Sequence, residues 1–320
     1  MIVNRTNKLI FLALPVSSFN SGTVNQLAML ARGPHAPLMH IRLQYSRSIC
    51  SFDSSDFPEQ WPYDDNTDFG RVDKSDDSSF YSQPRYVTHI DDRAIESLTE
   101  YYQEVFEEVG KKKASSSGVE GVASLDILDT CSSWISHLPE ASSSFKYNRV
   151  SGVGMNQSEL SQNNQLTEYF VHDLNKEPSF SEYFEDESFD VVTNVVSIDY
   201  LTRPVDVMQE MHRVLRPGGV ALISFSNRCF PTKAISMWLR SDDVDRLAIV
   251  ASYFHFSNKG WTDIEALDIK LPPVEMPKRP GWGEIMQDST KAFAWASTAG
   301  AVAKANSGDP MFVVKAMKTM

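Results

Sequence analysis

The chain has 320 residues, 42% of them apolar, and a net charge of −12, which is enough to bury one large core with extensions. No basic patch with interleaved aromatics occurs, so nucleic-acid binding is disfavoured. Cys50, Cys131 and Cys229 are too scattered for a disulfide framework or a zinc site, and the seven histidines show no paired metal spacing.

The first 52 residues contain no Asp or Glu, but they carry Arg5, Lys8, Arg32, Arg42 and Arg47 among many small and hydroxyl residues. This is the composition of an organelle transit peptide, and residues 1–52 are set outside the fold on that basis. The apolar run "LIFLALPV" is too short to span a bilayer, although it keeps a secretory signal open as a reading. Next, residues 53–78 hold nine acids against Arg71 and Lys74. Residues 53–83 therefore read as an acidic disordered linker, and 84–320 as the folded domain.

In "QPRYVTHIDDRAIESLTEYYQEVFEEVGKKK" the spacing of Ile95, Leu98, Tyr102, Val105 and Phe106 predicts an amphipathic helix over 91–109. Asp91 or Asp92 caps it, and Gly110 with three lysines ends it. A core over 124–230 then alternates strands with helices. Its strands are the run from residue 124 to 129, "RVSGVGM", "TEYFVHDL", "SFDVVTNVVS" and "GVALISFS". Before the last strand, "RPVDVMQEMHRVLRPGG" predicts a helix with Pro204 in its first turn and Gly218 and Gly219 at its close. Such alternation implies an α/β, doubly wound parallel sheet, whose ligands bind beyond the carboxyl ends of the strands where strand order reverses. "GWTDIEALDI" and "DPMFVVKAMK" read as two further strands, separated by an insertion over 271–308 that contains an Ala-rich helix. The sheet is thus expected to be mostly parallel with an antiparallel C-terminal strand.

The stretch "EDESFDVVTNVVSIDYLTRPVDVMQEMHRVLRPGGVALISFSN" resembles the second half of a class I S-adenosylmethionine-dependent methyltransferase of the type 11 group. The resemblance implies a Rossmann-like methyltransferase sheet, S-adenosylmethionine as cofactor and a small-molecule acceptor, with no membrane span; the oligomeric state is left open. The group's first loop is Asp-x-Gly-x-Gly, whereas here Asp129 is followed by Cys131 and Ser133 in the glycine places. The acid that usually ends the second strand is replaced by Gly154, with Asn156 two residues on. Carried over position by position, the resemblance implies cofactor contacts from Asp129, Cys131, Ser132, Ser133, Met155, Asn156, Asp173, Leu174 and Asn194. Asp173 would meet the adenine amino group, and Leu174 the ring face.

These departures leave two readings. In one, the pocket is rebuilt, with the hydroxyls of Ser132 and Ser133 replacing lost backbone contacts and Asn156 replacing the carboxylate. In the other, the fold persists as a non-catalytic scaffold or partner-binding protein. The string Asp-x-Cys-Ser-Ser-Trp-x-Ser-His, with "RYVTHIDD" and "SNRCFPTKAI", also resembles a branch of methyltransferase-like proteins from plants, algae and cyanobacteria. That likeness favours the rebuilt pocket and a plastid destination, with the mitochondrion as runner-up. No motif names a catalytic base: His137 reads as a base or a structural histidine, and Trp134 as a pocket wall or a packing residue. His89 with Asp91, and Asn227 with Arg228, stand on the expected acceptor side. No Asn/Asp-Pro-Pro-Tyr tetrapeptide follows the fourth strand, which disfavours methylation of base or amide nitrogens.

Overall fold

The structure, a computed structural model, describes residues 47–117 and 121–320. Its strands are β1 (Ser48–Phe52), β2 (Ala123–Thr130), β3 (Phe145–Gly154), β4 (Glu168–Val171), β5 (Phe189–Val195), β6 (Leu215–Phe225), β7 (Trp261–Asp268) and β8 (Phe312–Lys318). They form one sheet in the order β1-β7-β8-β6-β5-β2-β3-β4. From β6 to β4 every pairing is parallel, and β8 lies antiparallel between β6 and β7. This is the expected doubly wound sheet with an antiparallel C-terminal strand. The chain winds outward from β2 through β3 to β4, then returns to lay β5 against the other side of β2. Strand order therefore reverses between β2 and β5, and the carboxyl ends of these strands diverge there into a crevice.

The helices are α1 (Asp77–Phe80), α2 (Asp92–Ser117), α3 (Gln157–Leu160), α4 (Pro204–Val214), α5 (Ser236–Arg240), α6 (Asp243–Ser257), α7 (Trp282–Gln287) and α8 (Thr290–Asn306). β2 and β5 are buried almost throughout, as their unbroken apolar runs require of strands covered on both faces. On one face α2 packs Leu98, Tyr102, Val105 and Phe106 against Leu125, Ile127 and Phe145. On the other, α4 and α6 bring Val207, Met211, Val250 and Phe254 onto Leu128, Val192 and Ile223. The crossover from β2 to β3, residues 131–144, contains no helix, so α2, arriving from upstream, covers the face that a crossover helix would cover.

Two expected boundaries move. Asp91 caps α2, its Oδ1 accepting from the Ala94 amide at 2.9 Å, but the helix runs on through Gly110 to Ser117. Gly110 is a point of close approach: a Cβ there would lie 2.6 Å from the Ser144 carbonyl oxygen. Lys113, beyond it, reaches Asp190 at 2.7 Å. Likewise α4 ends at Val214, and Gly218 (φ +78°) and Gly219 fall inside β6, where a Gly219 Cβ would crowd the carbonyls of Arg216 and Asp190.

The larger correction concerns the N-terminal part. Residues 1–46, most of the expected leader, lie outside the described residues, but residues 48–52 form an edge strand antiparallel to β7. Residues 53–83, expected to be a disordered linker, pack on the body of the protein, and the compact unit begins at Arg47. Composition hides this because the acids alternate with aromatic anchors. Phe57 stacks on His255, Trp61 on Phe69, and Phe69 is 5% exposed. The acids meet bases: Asp68 pairs with the distant Arg240 at 2.6 Å, while Asp77, 5% exposed, accepts Arg71 of the same stretch at 2.8 Å and the distant Lys233 at 3.0 Å. Main-chain bonds from Asp73 to Thr232 and from Ser236 to Gly70 complete the seam.

Lys233 is fully buried, with Nζ on the Ser75 carbonyl oxygen, Asp73 and Asp77. Lys233→Met should therefore lower stability in urea by about 3 kcal/mol, because it leaves a buried carboxylate short of one partner. A loss below about 0.5 kcal/mol, the size of a surface substitution, would contradict this reading.

Candidate functional site

At the reversal point the ends of β2, β3 and β5 open into a cavity of about 320 Å³. Its floor is the loop after β2, its sides are the turns after β3, β4 and β5, and its roof is the segment from Asp77 to His89 together with the residues that follow β6. Four of the six non-glycine residues with positive φ among the described residues, His89, Cys131, His137 and Val196, lie in its wall. Such strain persists only where surrounding contacts over-determine it, and it concentrates at functional sites.

The floor is organised by Asp129. Its carboxylate, 2% exposed, accepts Ser132 Oγ and Ser136 Oγ at 2.6 Å each and Thr193 Oγ1 at 2.9 Å. Burial outweighs these three donors and pushes the carboxyl up to about 6. Cys131 adopts φ +54°, the left-handed conformation that glycine takes most easily, so the backbone keeps a glycine-like turn without the glycine. Its thiol is pushed up to about 12 by burial and stays protonated. The Ser132 amide bonds the Val153 carbonyl at 2.8 Å, and this brings the Ser132 carbonyl against Gly154, where any Cβ would overlap it. An acidic side chain at the end of β3 is sterically impossible beside this loop.

Asn156 does not fill that gap with a free side chain. Its Oδ1 caps α3 by accepting from the amides of Ser158 and Glu159, and its Nδ2 donates to the Tyr81 carbonyl at 2.7 Å. The carboxylate that reaches the cavity is Glu159, 8% exposed, with Oε1 on the Arg85 amide at 2.7 Å and Oε2 on Ser133 Oγ at 2.6 Å. The hydroxyl hydrogens of both loop serines are thus committed to protein carboxylates, Ser132 to Asp129 and Ser133 to Glu159, and what they offer the cavity is oxygen lone pairs.

Of the other expected residues, Met155, Asp173 and Leu174 line the cavity. Asp173 Oδ1 accepts from the Asn175 amide at 3.0 Å, while its buried Oδ2 has no hydrogen bond and only Lys176 at 3.8 Å. Asn194 stands behind the wall, fully buried, with Nδ2 on Thr130 Oγ1 at 3.1 Å. It supports the floor from beneath because β5 pairs with β2 at that level.

Trp134 proves to be a wall that is also a clamp, its Nε1 donating to the Val87 carbonyl at 3.0 Å. His137 lines the cavity, with Nδ1 buried and unpaired; burial, and secondarily the nearby His89, lowers its pKa to about 4, so the ring is neutral at pH 7. His89 lines the same wall, whereas Asp91 is a helix cap. Arg228 lines the cavity and pairs with Asp309 at 2.9 Å. Tyr81, Arg85, Glu159, Tyr200 and Phe230 are wall residues that carried no expected role in the sequence; the signals were the run "FYSQPRY" at the end of the acidic stretch and the strings "RYVTHIDD" and "SNRCFPTKAI", which contain Arg85 and Phe230.

With this geometry in view, the profile of a methyltransferase domain family matches residues 136–223, from the floor loop to within β6. No curated protein shows significant similarity to the chain. Among solved structures, the chain is similar to an S-adenosylmethionine-dependent methyltransferase from Mesorhizobium loti, at 14% identity over 65% of this chain and 98% of that one, with a TM-score of 0.33. A putative sarcosine dimethylglycine methyltransferase from Galdieria sulphuraria is 14% identical over 67% and 85% of the two chains, with a TM-score of 0.34. Phosphoethanolamine N-methyltransferase 2 of Haemonchus contortus is 16% identical over 63% of this chain, with a TM-score of 0.34, and only 50% of its own length is covered. The fold assignment rests on the strand order itself.

The Asp129 carboxyl stands near 6 in the native state against an ordinary value of 3.8. Between these values the native state binds a proton that the unfolded chain lacks, so this group's contribution to stability falls as pH rises from 4 to 6. Asp129→Asn removes the effect. Its stability relative to wild type should therefore rise across that window by an amount on the order of 1–3 kcal/mol and level off above about pH 7. Parallel urea curves at pH 4, 5, 6 and 7 that differ by a constant would refute the assignment.

Proposed function

We propose that the protein is an S-adenosylmethionine-dependent methyltransferase acting on a small molecule. The observation that carries this reading is the cavity at the reversal between β2 and β5, lined by four carboxylates, Asp77, Asp129, Glu159 and Asp173, of which the last keeps a buried oxygen without a hydrogen-bond donor. The matched methyltransferase profile, which spans β3, β4 and β5 and the turns that wall the cavity, supports it.

The residues present fit the cofactor. Asp173 Oδ2 is an acceptor in want of an amino group, and Leu174, buried beside it, is an apolar face for a planar ring. Glu159, held by the Arg85 amide and by Ser133, is the carboxylate available to ribose hydroxyls in place of the acid that Gly154 excludes. The volume matches the lower range of small-ligand sites. When bound, S-adenosylmethionine supplies an activated methyl group that carries its own leaving group. The protein then has three tasks: to align an acceptor atom with that methyl, to exclude water, and to receive a proton. The clamp of Trp134 on Val87 closes the roof over the floor. His137 stands in the wall as a neutral imidazole whose burial, holding its pKa near 4, makes it a weak proton acceptor.

Titration of the full chain with S-adenosylhomocysteine tests this reading. Wild type should bind, and Asp173→Ala should weaken binding by about tenfold to a hundredfold, the range for hydrogen bonds to a charged group. Glu159→Ala should weaken it by a similar factor and also loosen Ser133. Absence of heat at millimolar ligand, or binding that neither substitution changes, would overturn the proposal and leave a scaffold on the same fold.

A further inference from the structure

The roof of the cavity contains a cation without an anion. Arg85 lines the cavity, yet no carboxylate among the described residues lies within ion-pair distance of its guanidinium. Glu159 is bound by the Arg85 main-chain amide, at 2.7 Å, and not by its guanidinium. Nη2 donates to the Phe80 carbonyl at 3.0 Å, while Nη1 is buried and has no acceptor. The guanidinium is enclosed by aromatic rings: its Cζ lies 4.3 Å from the centroid of Phe80, 5.4 Å from Phe230 and 5.9 Å from Tyr81. In a chain of net charge −12, a stacked guanidinium left unpaired beside a cavity is a costly arrangement unless something else brings the negative charge.

From this arrangement we infer that Arg85 is an oxyanion anchor, and that it takes the carboxylate of the methyl acceptor. Three features set the class of ligand. The surrounding rings and the Nη2 bond to Phe80 restrict the guanidinium and leave Nη1 without an acceptor, which suits it to the planar oxygens of a carboxylate. The surrounding wall is aromatic, with Tyr200 tilted 5.9 Å from Phe230, and accommodates an apolar body behind the charged group. His89, in the same wall and packed edge-on against Phe230, has its pKa lowered by burial, with Glu159 opposing and Arg85 adding to the shift, and it adds no negative charge of its own. The acceptor is accordingly a small apolar or aromatic acid. This inference rests on the methyltransferase reading for the word acceptor, while the anion site stands on Arg85 alone.

A carboxylate in this cavity could also come from the amino-acid tail of the cofactor, and the test separates the two sources. The full chain is titrated with 4-hydroxybenzoate and with its neutral isostere 4-hydroxybenzamide, with and without saturating S-adenosylhomocysteine. The acid should bind about tenfold or more tighter than the amide, and Arg85→Gln should abolish that preference, since one buried charge-assisted pair is lost. Arg85→Lys should retain only part of it, because a point charge replaces a stacked fork. In a second arm, S-adenosylhomocysteine is compared with 5′-methylthioadenosine, which lacks the amino-acid carboxylate. If Arg85→Gln weakens the first about tenfold and leaves the second unchanged, the guanidinium holds the cofactor and the acceptor assignment is overturned. Equal binding of acid and amide to wild type, or no binding of the acid, overturns the anion site itself, whatever the variants do. Failure of S-adenosylhomocysteine to bind wild type while the acid is still preferred would sink the methyltransferase reading and spare the anion site.

Discussion

The carboxylate of Asp129 is where the sheet, the loop and the cavity meet, because it gathers Ser132 and Ser136 from its own loop and Thr193 from the neighbouring strand β5. Three hydroxyl donors on one buried acid cost conformational freedom, and they return a loop whose course is set without glycine and without a crossover helix. From that course follow the left-handed turn at Cys131 and the Ser132 carbonyl pressed against β3. Gly154 is then obligatory, and the second-strand acid of related loops has no room. The apparent losses in the Cys-Ser-Ser-Trp loop are therefore consequences of one rearrangement.

The same logic explains the roof. A loop without its own helix leaves the cavity open on one side, and residues 61–90 close it. They are anchored at two levels: aromatic packing of Trp61 and Phe69 on α6, and the buried charges of Asp77, Arg71 and Lys233. Asn175 ties the second level to the cavity, donating to Asp77 at 2.9 Å two residues after Asp173. Buried ion pairs of this kind are weak evidence for stability, but they are demanding about geometry. Here they set how the roof sits over the site.

Much of the core was legible in the residues. Unbroken apolar runs marked β2, β5 and β6 because parallel strands are covered on both faces, and the 3.6-residue spacing marked α2 and α4 because one face of each is buried. Asp129 and Asp173 were carried to the site by the methyltransferase resemblance, position by position, and both line the cavity. Asn156 and Asn194 were assigned to the site from position alone. Asn156 lines the cavity but its side chain is taken up by the α3 cap and Tyr81, and Asn194 lies beneath the floor, outside the lining. The acidic stretch misled because composition counts charges and cannot see their partners, which come from Arg240 and Lys233 far along the chain.

What the sequence determined by itself is what short-range periodicity encodes: the order of strands and helices, the sheet they build, and the strand end at which a ligand would sit. Tertiary structure alone decided the chemistry of the walls. The bond from Asn156 to Tyr81 spans 75 residues, that from Trp134 to Val87 spans 47, and that from Lys233 to Ser75 spans 158. No repeat or motif records such pairings, because each is selected by the fit of two surfaces after the sheet has formed. Glu159 and Arg85 become parts of one site only when the segment before α2 folds back over the ends of the strands.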